Sequence, residues 1–182
     1  MLLLIGKSCA GKDLIKKKLI ENGMEAVVTY TTRPPRPGEV DGRTYHFISQ
    51  DIFLRRKQQG FFAETNSYHV ATGDIWHYGS AVEDLTDDKV IIVNPEGLKQ
   101  IKSIESLNPI SFYITASEET IWDRIKHRGD NINEAVRRLN ADREDFADIV
   151  NYVDFSFRND LGLKPEILAD TILYTYRKVI SN

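Results

Sequence analysis

The sequence has one cysteine, no long hydrophobic run and little net charge, and each of these absences excludes a class of protein. Cys9 alone cannot form an internal disulfide framework or a cysteine metal cluster, and it fits a reducing compartment, so we expect a cytoplasmic protein. Only five apolar residues precede Gly6, which is too short a run for a signal peptide or a membrane span. A net charge of −3 gives no electrostatic basis for binding nucleic acid or a membrane surface.

The chain of 182 residues alternates short apolar runs with longer helical patterns. The apolar runs predict buried strands at 2–5, 26–30, 90–93, 110–114 and 153–157. The helical patterns predict helices near 11–21, 95–107, 117–127, 133–151 and 165–179. Strands that alternate with helices indicate one α/β domain with a mainly parallel, five-stranded sheet flanked by helices.

Two segments interrupt this alternation. Residues 31–83 are rich in proline, glycine and aromatic side chains and show no long helical pattern, so we expect a small inserted subdomain there. Residues 126–143 are dense in charge, which on its own is typical of a solvent-exposed helix.

The first apolar run leads directly into GKSCAGKD, and an amphipathic helical pattern follows it. This stretch is close to the phosphate-binding pattern G-x-x-x-x-G-K-[ST], which is weak alone but strong between a strand and a helix. Its glycines permit the turn, while backbone N–H groups and the helix N-terminus form an anion site that a lysine completes. The pattern predicts an ATP phosphate loop formed by Gly6, Lys7, Ser8, Cys9, Ala10, Gly11, Lys12 and Asp13.

Asp13 stands where the pattern has a serine or threonine whose hydroxyl binds Mg²⁺. A carboxylate is a good ligand for Mg²⁺, either directly or through water. The same side chain also stabilises a helix N-terminus without any metal. Both roles stay open from the sequence. We expect Cys9, at an unrestricted position of the pattern, only to fill space in the loop.

A second phosphate-binding pattern lies in TYTTRPPRPGEVDGRTYHF, residues 29–47. Arg33 and Arg36 flank prolines that fix the backbone, and guanidinium groups donate paired hydrogen bonds to phosphate oxygens. The hydroxyl of Tyr45 offers a third donor. These side chains predict a clamp for the phosphate of an acceptor molecule.

This segment and the upstream phosphate loop closely resemble the guanylate kinase family. IWDRIKHRGDN (121–131) followed by AVRRLNADRE (135–144) is similar to the family's lid, and FSFRNDL (155–161) to its last strand and adenine-side loop. The resemblance spans about residues 1–162. It implies the P-loop kinase fold, with a core of residues 1–30, 84–123 and 144–182, an acceptor-binding subdomain of 31–83 and a lid of 124–143.

The resemblance implies an ATP-dependent nucleoside monophosphate kinase that uses Mg²⁺ and converts GMP or dGMP to the diphosphate. Its partners would be small-molecule nucleotides, and the chain would be a monomer or a homodimer. The acceptor would be bound by Thr29, Arg33, Arg36, Glu39, Tyr45, Glu64, Tyr78 and Ser80. Arg124 and Asn159 would lie on the adenine side of ATP, and charge would be neutralised during transfer by Lys12, Arg33, Arg128 and Arg138.

The chain departs from the family pattern at three places, of which Asp13 is the first. Ile92 and Asn94 stand where the family has two aspartates, so Asn94 is expected to be a polar but uncharged contact to the acceptor. Residues 66–80 form a longer segment than their family counterpart, so we expect the wall that faces the base to be rebuilt.

Two alternatives remain beside this function. Ribose bisphosphate phosphokinases share the fold and often carry Gly-Lys-Asp and a strand asparagine, but they usually lack the full arginine segment that runs here through Tyr45. Guanylate-kinase-like domains of scaffold proteins bind phosphopeptides without catalysis, but their phosphate loops are degraded, whereas Lys12 is present here. We therefore expect a nucleoside monophosphate kinase, with the sugar-phosphate kinase as the alternative.

Overall fold

A computed structural model describes residues 1–70 and 73–181 of the chain. These residues form nine strands: β1 (Leu2–Ile5), β2 (Glu25–Ala26), β3 (Tyr30–Thr31), β4 (His46–Phe47), β5 (Phe62–His69), β6 (Ile75–Ala81), β7 (Lys89–Ile92), β8 (Ile110–Thr115) and β9 (Phe155–Arg158). They also form six α-helices: α1 (Lys12–Glu21), α2 (Gln50–Gln58), α3 (Pro95–Lys102), α4 (Glu118–Arg128), α5 (Ile132–Asp145) and α6 (Pro165–Ile180). In this described part, none of the helices has the length and apolar character needed to cross a membrane.

Five strands form a central sheet in the order β2-β7-β1-β8-β9, and every neighbouring pair is parallel. Strand β1 lies in the middle with all four residues buried, because a parallel sheet covered on both faces needs continuously apolar strands. The predicted α/β fold with a five-stranded sheet is therefore confirmed, and the sheet is entirely parallel.

Helices cover both faces of this sheet, and the alternating side chains of β1 divide between two cores. On one face Leu4 lies in a core to which α1 contributes Ile15 and α6 contributes Tyr176. On the other face Leu3 lies in a core to which α3 contributes Leu98. All five side chains are almost completely excluded from solvent, so the sheet and its helices form a fixed platform.

The predicted strand at 26–30 is wrong as a single element, because the chain divides it between two sheets. Strand β2 pairs with β7 in the central sheet, whereas β3 pairs with β4 and β6. The backbone changes partners between them: the N–H of Val27 donates to the Val90 carbonyl, and the Thr29 carbonyl accepts from the N–H of His46. Helices α3 and α5 also end earlier than predicted, and a 3-10 turn after α5 brings Ile149 into the core.

A second sheet, in the order β4-β3-β6-β5, is built from residues between Tyr30 and Ala81. Helix α2 packs on it through Phe53, which stacks on Phe62 with 4.5 Å between ring centroids. The sequence pattern does not predict this helix, because Phe53 is its one buried residue and gives no apolar periodicity. Its cap was a usable signal: the Ser49 hydroxyl oxygen accepts from the N–H of Ile52 at 3.3 Å.

The parallel order places the carboxyl ends of the central strands at one edge of the sheet, where ligands bind in open α/β folds. Strand β1 leads there into Gly6, and the neighbouring β7 leads into Asn94. The two strand ends are joined by a hydrogen bond of 3.0 Å from the N–H of Val93 to the Leu4 carbonyl. The phosphate loop and Asn94 therefore adjoin.

We expect Leu4→Ala to lower the free energy of unfolding by about 3 kcal/mol, because it leaves a cavity in the central strand. Urea denaturation checks this, with Ile167→Ala as the matched control, since Ile167 on α6 is 62% exposed. Ile167→Ala should change stability by less than about 0.5 kcal/mol. Equal losses in the two variants would contradict the assignment of β1 to the centre of the core.

Candidate active site

Residues 6–11 connect β1 to α1 with a backbone that requires glycine at two positions. Gly11 precedes α1 with a φ of 92°, in the left-handed region that glycine adopts without steric cost. A Cβ atom at Gly6 would lie 2.4 Å from the carbonyl oxygen of Ile114 on β8, which is a clash. The two glycines therefore let the loop turn tightly at the end of the sheet.

Two side chains from distant parts of the chain bind the carbonyl groups of this loop. Arg124 on α4 donates to the Cys9 carbonyl at 3.0 Å, and Asn159 after β9 donates to the Ala10 carbonyl at 2.8 Å. Arg124 also donates to the backbone oxygen of Asn159 at 2.8 Å. The structure thus brings both residues predicted on the ATP side to the loop, where they hold two of its carbonyl groups.

Asn159 also carries an acceptor that lacks a partner. Its side-chain oxygen Oδ1 is buried and has no hydrogen bond among the described residues. A buried acceptor without a donor costs free energy. Asn159 lines a cavity of about 350 Å³ together with Cys9, Gly11, Lys12, Asp13, Arg124, His127 and Arg128.

Lys12 and Asp13 face this phosphate-loop cavity from the first turn of α1. The Lys12 ammonium lies 2.9 Å from the backbone oxygen of Lys7; burial lowers the pKa of Lys12, and the charge of Asp13 partly offsets this. Within residues 1–70 and 73–181, no cluster of three or more His, Cys, Asp or Glu side chains could hold a metal. A cation at Asp13 would therefore need phosphate oxygens and water as its other ligands, which is the usual set for Mg²⁺, so Asp13 fits that ion.

Asp142 on α5 contacts the phosphate loop, although no sequence pattern indicated it. Its carboxylate oxygen Oδ2 accepts a hydrogen bond of 2.7 Å from the backbone N–H of Ser8. A carboxylate oxygen thus occupies a position at which the loop is expected to bind a phosphate oxygen. Asp142 lies 134 positions from Ser8 inside the charged run 126–143, so only the folded chain reveals this contact.

The predicted phosphate clamp is organised around Glu39. Arg33 is buried, and its guanidinium forms a bidentate pair with the Glu39 carboxylate at 2.7 and 2.9 Å. The carboxylate also accepts from the backbone N–H of Arg36 at 2.7 Å. These bonds, that of Arg33 first, lower the pKa of Glu39 to about 2. Glu39 therefore stays ionised at neutral pH and fixes the turn that carries both arginines.

Arg33 uses most of its donors within this turn and on the adjacent strand β6. Its Nε donates to the Tyr78 hydroxyl at 3.2 Å, one terminal nitrogen donates to the Pro34 carbonyl at 2.8 Å, and its guanidinium lies 5.3 Å from the centre of the Tyr45 ring. The side chain of Arg36 is exposed and has no hydrogen-bond partner among the described residues. Arg36 is therefore the freer donor for a phosphate, and the phosphate contact predicted for Arg33 stays a prediction.

A second cavity of about 350 Å³ lies beside this turn and is lined in part by Thr29, Tyr45, Glu64, Asn66, Tyr68, Tyr78 and Asn94. Glu64 on β5 is only 6% exposed, and its carboxylate accepts from the Ser80 hydroxyl and the Asn66 amide, each at 2.8 Å. Burial raises the pKa of Glu64, and these two hydrogen bonds oppose the rise. A carboxylate has room for further hydrogen bonds, so this cavity suits a ligand with N–H groups.

The two predicted lid arginines are placed differently. Arg128 at the end of α4 lines the phosphate-loop cavity, with its Nε 3.5 Å from Asp130. Arg138 on α5 instead donates to Glu134 at 2.9 Å, and hydrogen bonds from Arg137 and then Arg138 lower the pKa of Glu134 to about 2. The structure brings Arg128 to the phosphate loop and leaves Arg138 on its own helix, so the phosphate contact of Arg138 stays a prediction.

We expect Asp142→Asn to lower the KM for ATP by about 3- to 10-fold, because it removes an anion that competes for the Ser8 N–H. Steady-state kinetics at saturating acceptor measures this effect. Asp148→Asn is the matched control, since it makes the same change of charge at an exposed position. A raised KM for ATP in Asp142→Asn alone would show instead that this carboxylate assists nucleotide binding.

Comparisons with known proteins agree with this geometry. The family model described as guanylate kinase matches residues 1–161. The guanylate kinase of Nitratidesulfovibrio vulgaris is 33% identical over 154 residues, covering 79% of this chain and 72% of that protein; that of Syntrophus aciditrophicus is 31% identical, covering 97% and 86%. The crystal structure of guanylate kinase from Anaplasma phagocytophilum shares the fold at 24% identity, with a TM-score of 0.68 over 98% of this chain and 84% of that one. This chain belongs to the guanylate kinase family.

Proposed function

We propose that this chain transfers the γ-phosphoryl group of ATP to GMP or dGMP. The observation that carries the proposal is the buried Glu64 carboxylate in the cavity beside the arginine turn. Guanine presents two neighbouring N–H groups that one carboxylate can accept. Tyr45 and Tyr78 line the same cavity, and the exposed Arg36 lies on the arginine turn beside it, so these side chains are the donors that we assign to the phosphate of that nucleotide.

The reaction needs little chemistry from the side chains. An oxygen of the acceptor phosphate forms the new bond to the γ-phosphorus, while the bond from that phosphorus to the bridging oxygen of ADP breaks. The acceptor oxygen is already anionic, so no general base is required. The chain's contribution is alignment and neutralisation of charge, which we assign to Lys12 at the loop and to Arg33, Arg128 and Arg138.

Asp13 is the residue that we propose to hold Mg²⁺, with phosphate oxygens of ATP and water as the other ligands. When bound, the cation would screen the negative charge of the phosphates. Without a cation, the Asp13 carboxylate would repel ATP across the cavity that it shares with Lys12. Its place in the first turn of α1 stabilises the helix in either case, so the two roles left open by the sequence are compatible.

The same proposal includes an acceptor-binding subdomain and a lid. The second sheet and α2 provide most of the acceptor-binding subdomain, residues 31–83. The end of α4 and most of α5 lie in residues 124–143, which we propose to close as a lid that excludes water and prevents wasteful hydrolysis of ATP. We further propose a cytoplasmic monomer or homodimer.

The base-facing carboxylate also separates this function from its alternatives. Ribose 1,5-bisphosphate has no base to donate N–H groups to Glu64, and its phosphates would be repelled by a buried negative charge. A phosphopeptide-binding module needs no nucleotide loop. Here the loop has its lysine and an adjoining cavity with an unpartnered buried acceptor on Asn159.

An assay of ADP release across GMP, dGMP, AMP, UMP, dTMP and ribose 1,5-bisphosphate tests the proposal. We expect kcat/KM for GMP and dGMP to exceed that for AMP by at least about 100-fold, because adenine would leave the Glu64 carboxylate unmatched. A preference for ribose 1,5-bisphosphate would overturn the acceptor, and no turnover with any acceptor would support a binding module.

Variants in the same assay assign the two phosphate sites. We expect Lys12→Ala to lower kcat by about 1,000-fold, and Arg36→Ala to raise the KM for GMP by about 10-fold while leaving the KM for ATP unchanged. Arg43→Ala is the matched control, since Arg43 is exposed in the same segment and, among residues 1–70 and 73–181, only its backbone N–H is bonded. Unchanged acceptor kinetics in Arg36→Ala would refute the clamp.

A further inference from the structure

Asn66 lies two residues after Glu64 on β5, outside every motif that identified the family. Its amide nitrogen Nδ2 donates to Oε2 of Glu64 at 2.8 Å, and its Oδ1 accepts from the amide of Asn94 at 2.9 Å. Asn94 in turn accepts from the N–H of Gly97 at 2.7 Å. A continuous chain of hydrogen bonds therefore runs from the N-terminus of α3 through two asparagines to the base-facing carboxylate.

The direction of this chain is determined by its two ends. The N–H of Gly97 can only donate, so the side chain of Asn94 must accept with Oδ1 and present its amide nitrogen to Asn66. An ionised Glu64 can only accept, so Asn66 must present its amide nitrogen to the carboxylate. Neither amide can be reversed without placing two oxygens, or two N–H groups, against each other.

This direction explains why asparagine stands at position 94 where the family pattern has aspartate. An aspartate would still cap α3, but it has no N–H for the Oδ1 of Asn66. The Oδ1 of Asn66 would then lie against a carboxylate oxygen of residue 94. If the Asn66 amide were reversed to avoid this, its Oδ1 would lie against the Glu64 carboxylate instead. The asparagine at 94 therefore matches the asparagine at 66, and the two residues form one unit.

We propose, on the basis of the proposed function, that Asn66 determines specificity for the 6-keto purine acceptor. Held by Asn94, it orients Glu64 and donates its second amide N–H to the C6 carbonyl of the base. Only one of its two amide hydrogens is used among the hydrogen bonds of the described residues, and Asn66 lines the acceptor cavity. A donor beside a carboxylate complements guanine, whose O6 acceptor lies next to N1–H, whereas adenine presents a donor beside an acceptor.

Kinetics of Asn66→Ala, Asn94→Asp and the double variant with GMP and with 6-thio-GMP test this inference. Sulfur accepts hydrogen bonds weakly, so wild type should prefer GMP, and Asn66→Ala should reduce that preference by about 5-fold or more. Each single variant should raise the KM for GMP by about 10-fold or more while the KM for ATP stays unchanged. The double variant should have no higher KM for GMP than Asn66→Ala, because both substitutions break the same chain of hydrogen bonds.

Ser67→Ala is the matched control. Ser67 is the next residue on β5, and its hydroxyl pairs with His77 at 2.8 Å instead of with the carboxylate. It should leave the ratio of GMP to 6-thio-GMP and the KM for GMP unchanged, and thermal unfolding should show that all variants fold.

The possible failures are distinguishable. If wild type does not phosphorylate GMP, the proposed function itself fails. If wild type does, but Asn66→Ala keeps the wild-type KM and the wild-type preference for GMP over 6-thio-GMP, the role of Asn66 is refuted. Additive losses in the double variant would show that Asn66 and Asn94 act separately, which would overturn the coupled chain.

Discussion

Backbone N–H groups bind a phosphate best where the carbonyl groups of the same loop point away from it and have partners elsewhere. In this chain that constraint is met by Arg124 and Asn159, which bind the carbonyls of Cys9 and Ala10. Arg124 comes from α4 and Asn159 follows β9, so the loop takes its shape only when the parallel sheet has assembled. The close approach of Gly6 to β8 adds the same requirement. The whole α/β platform thus serves to present one short loop.

The acceptor side follows the same principle of arranging polar groups before a ligand arrives. Glu39 fixes the arginine turn, and the two asparagines orient the Glu64 carboxylate. Each charged group is therefore held by a neutral or oppositely charged partner, which limits the free-energy cost of burying it. On the loop itself, Asp142 supplies an internal anion to the Ser8 N–H. A nucleotide that binds would then replace internal hydrogen-bond partners, such as the Asp142 carboxylate on the Ser8 N–H, with its own polar groups.

Much of this could be predicted from local sequence, and the limits of such prediction have a physical cause. Apolar runs predicted four of the five strands of the central sheet, β1, β7, β8 and β9, because strands buried in a parallel sheet are rich in apolar residues. The run at 26–30 did not show that the chain leaves the central sheet after Ala26. The phosphate loop and arginine segment predicted the family, since their residues are close in sequence. The contacts of Asp142 with Ser8 and of Asn94 with Asn66 join residues 134 and 28 positions apart, and no local pattern encodes them. Helix α2 was missed because one buried phenylalanine gives no periodicity.

The central claim is that an ionised Glu64 reads the base of the acceptor, and proton release on GMP binding tests it most directly. Burial raises the pKa of Glu64, so the protonated form persists to higher pH in the free protein than it would for an exposed glutamate, and GMP affinity should fall as pH falls through that raised pKa. Calorimetric titration in two buffers of different ionisation enthalpy counts the protons released. Glu64→Gln at saturating GMP is the control, because the phosphate of GMP contributes equally to both proteins. We expect wild type to release more protons than Glu64→Gln near pH 5 and an equal number near pH 8. Equal release at both pH values would contradict the account.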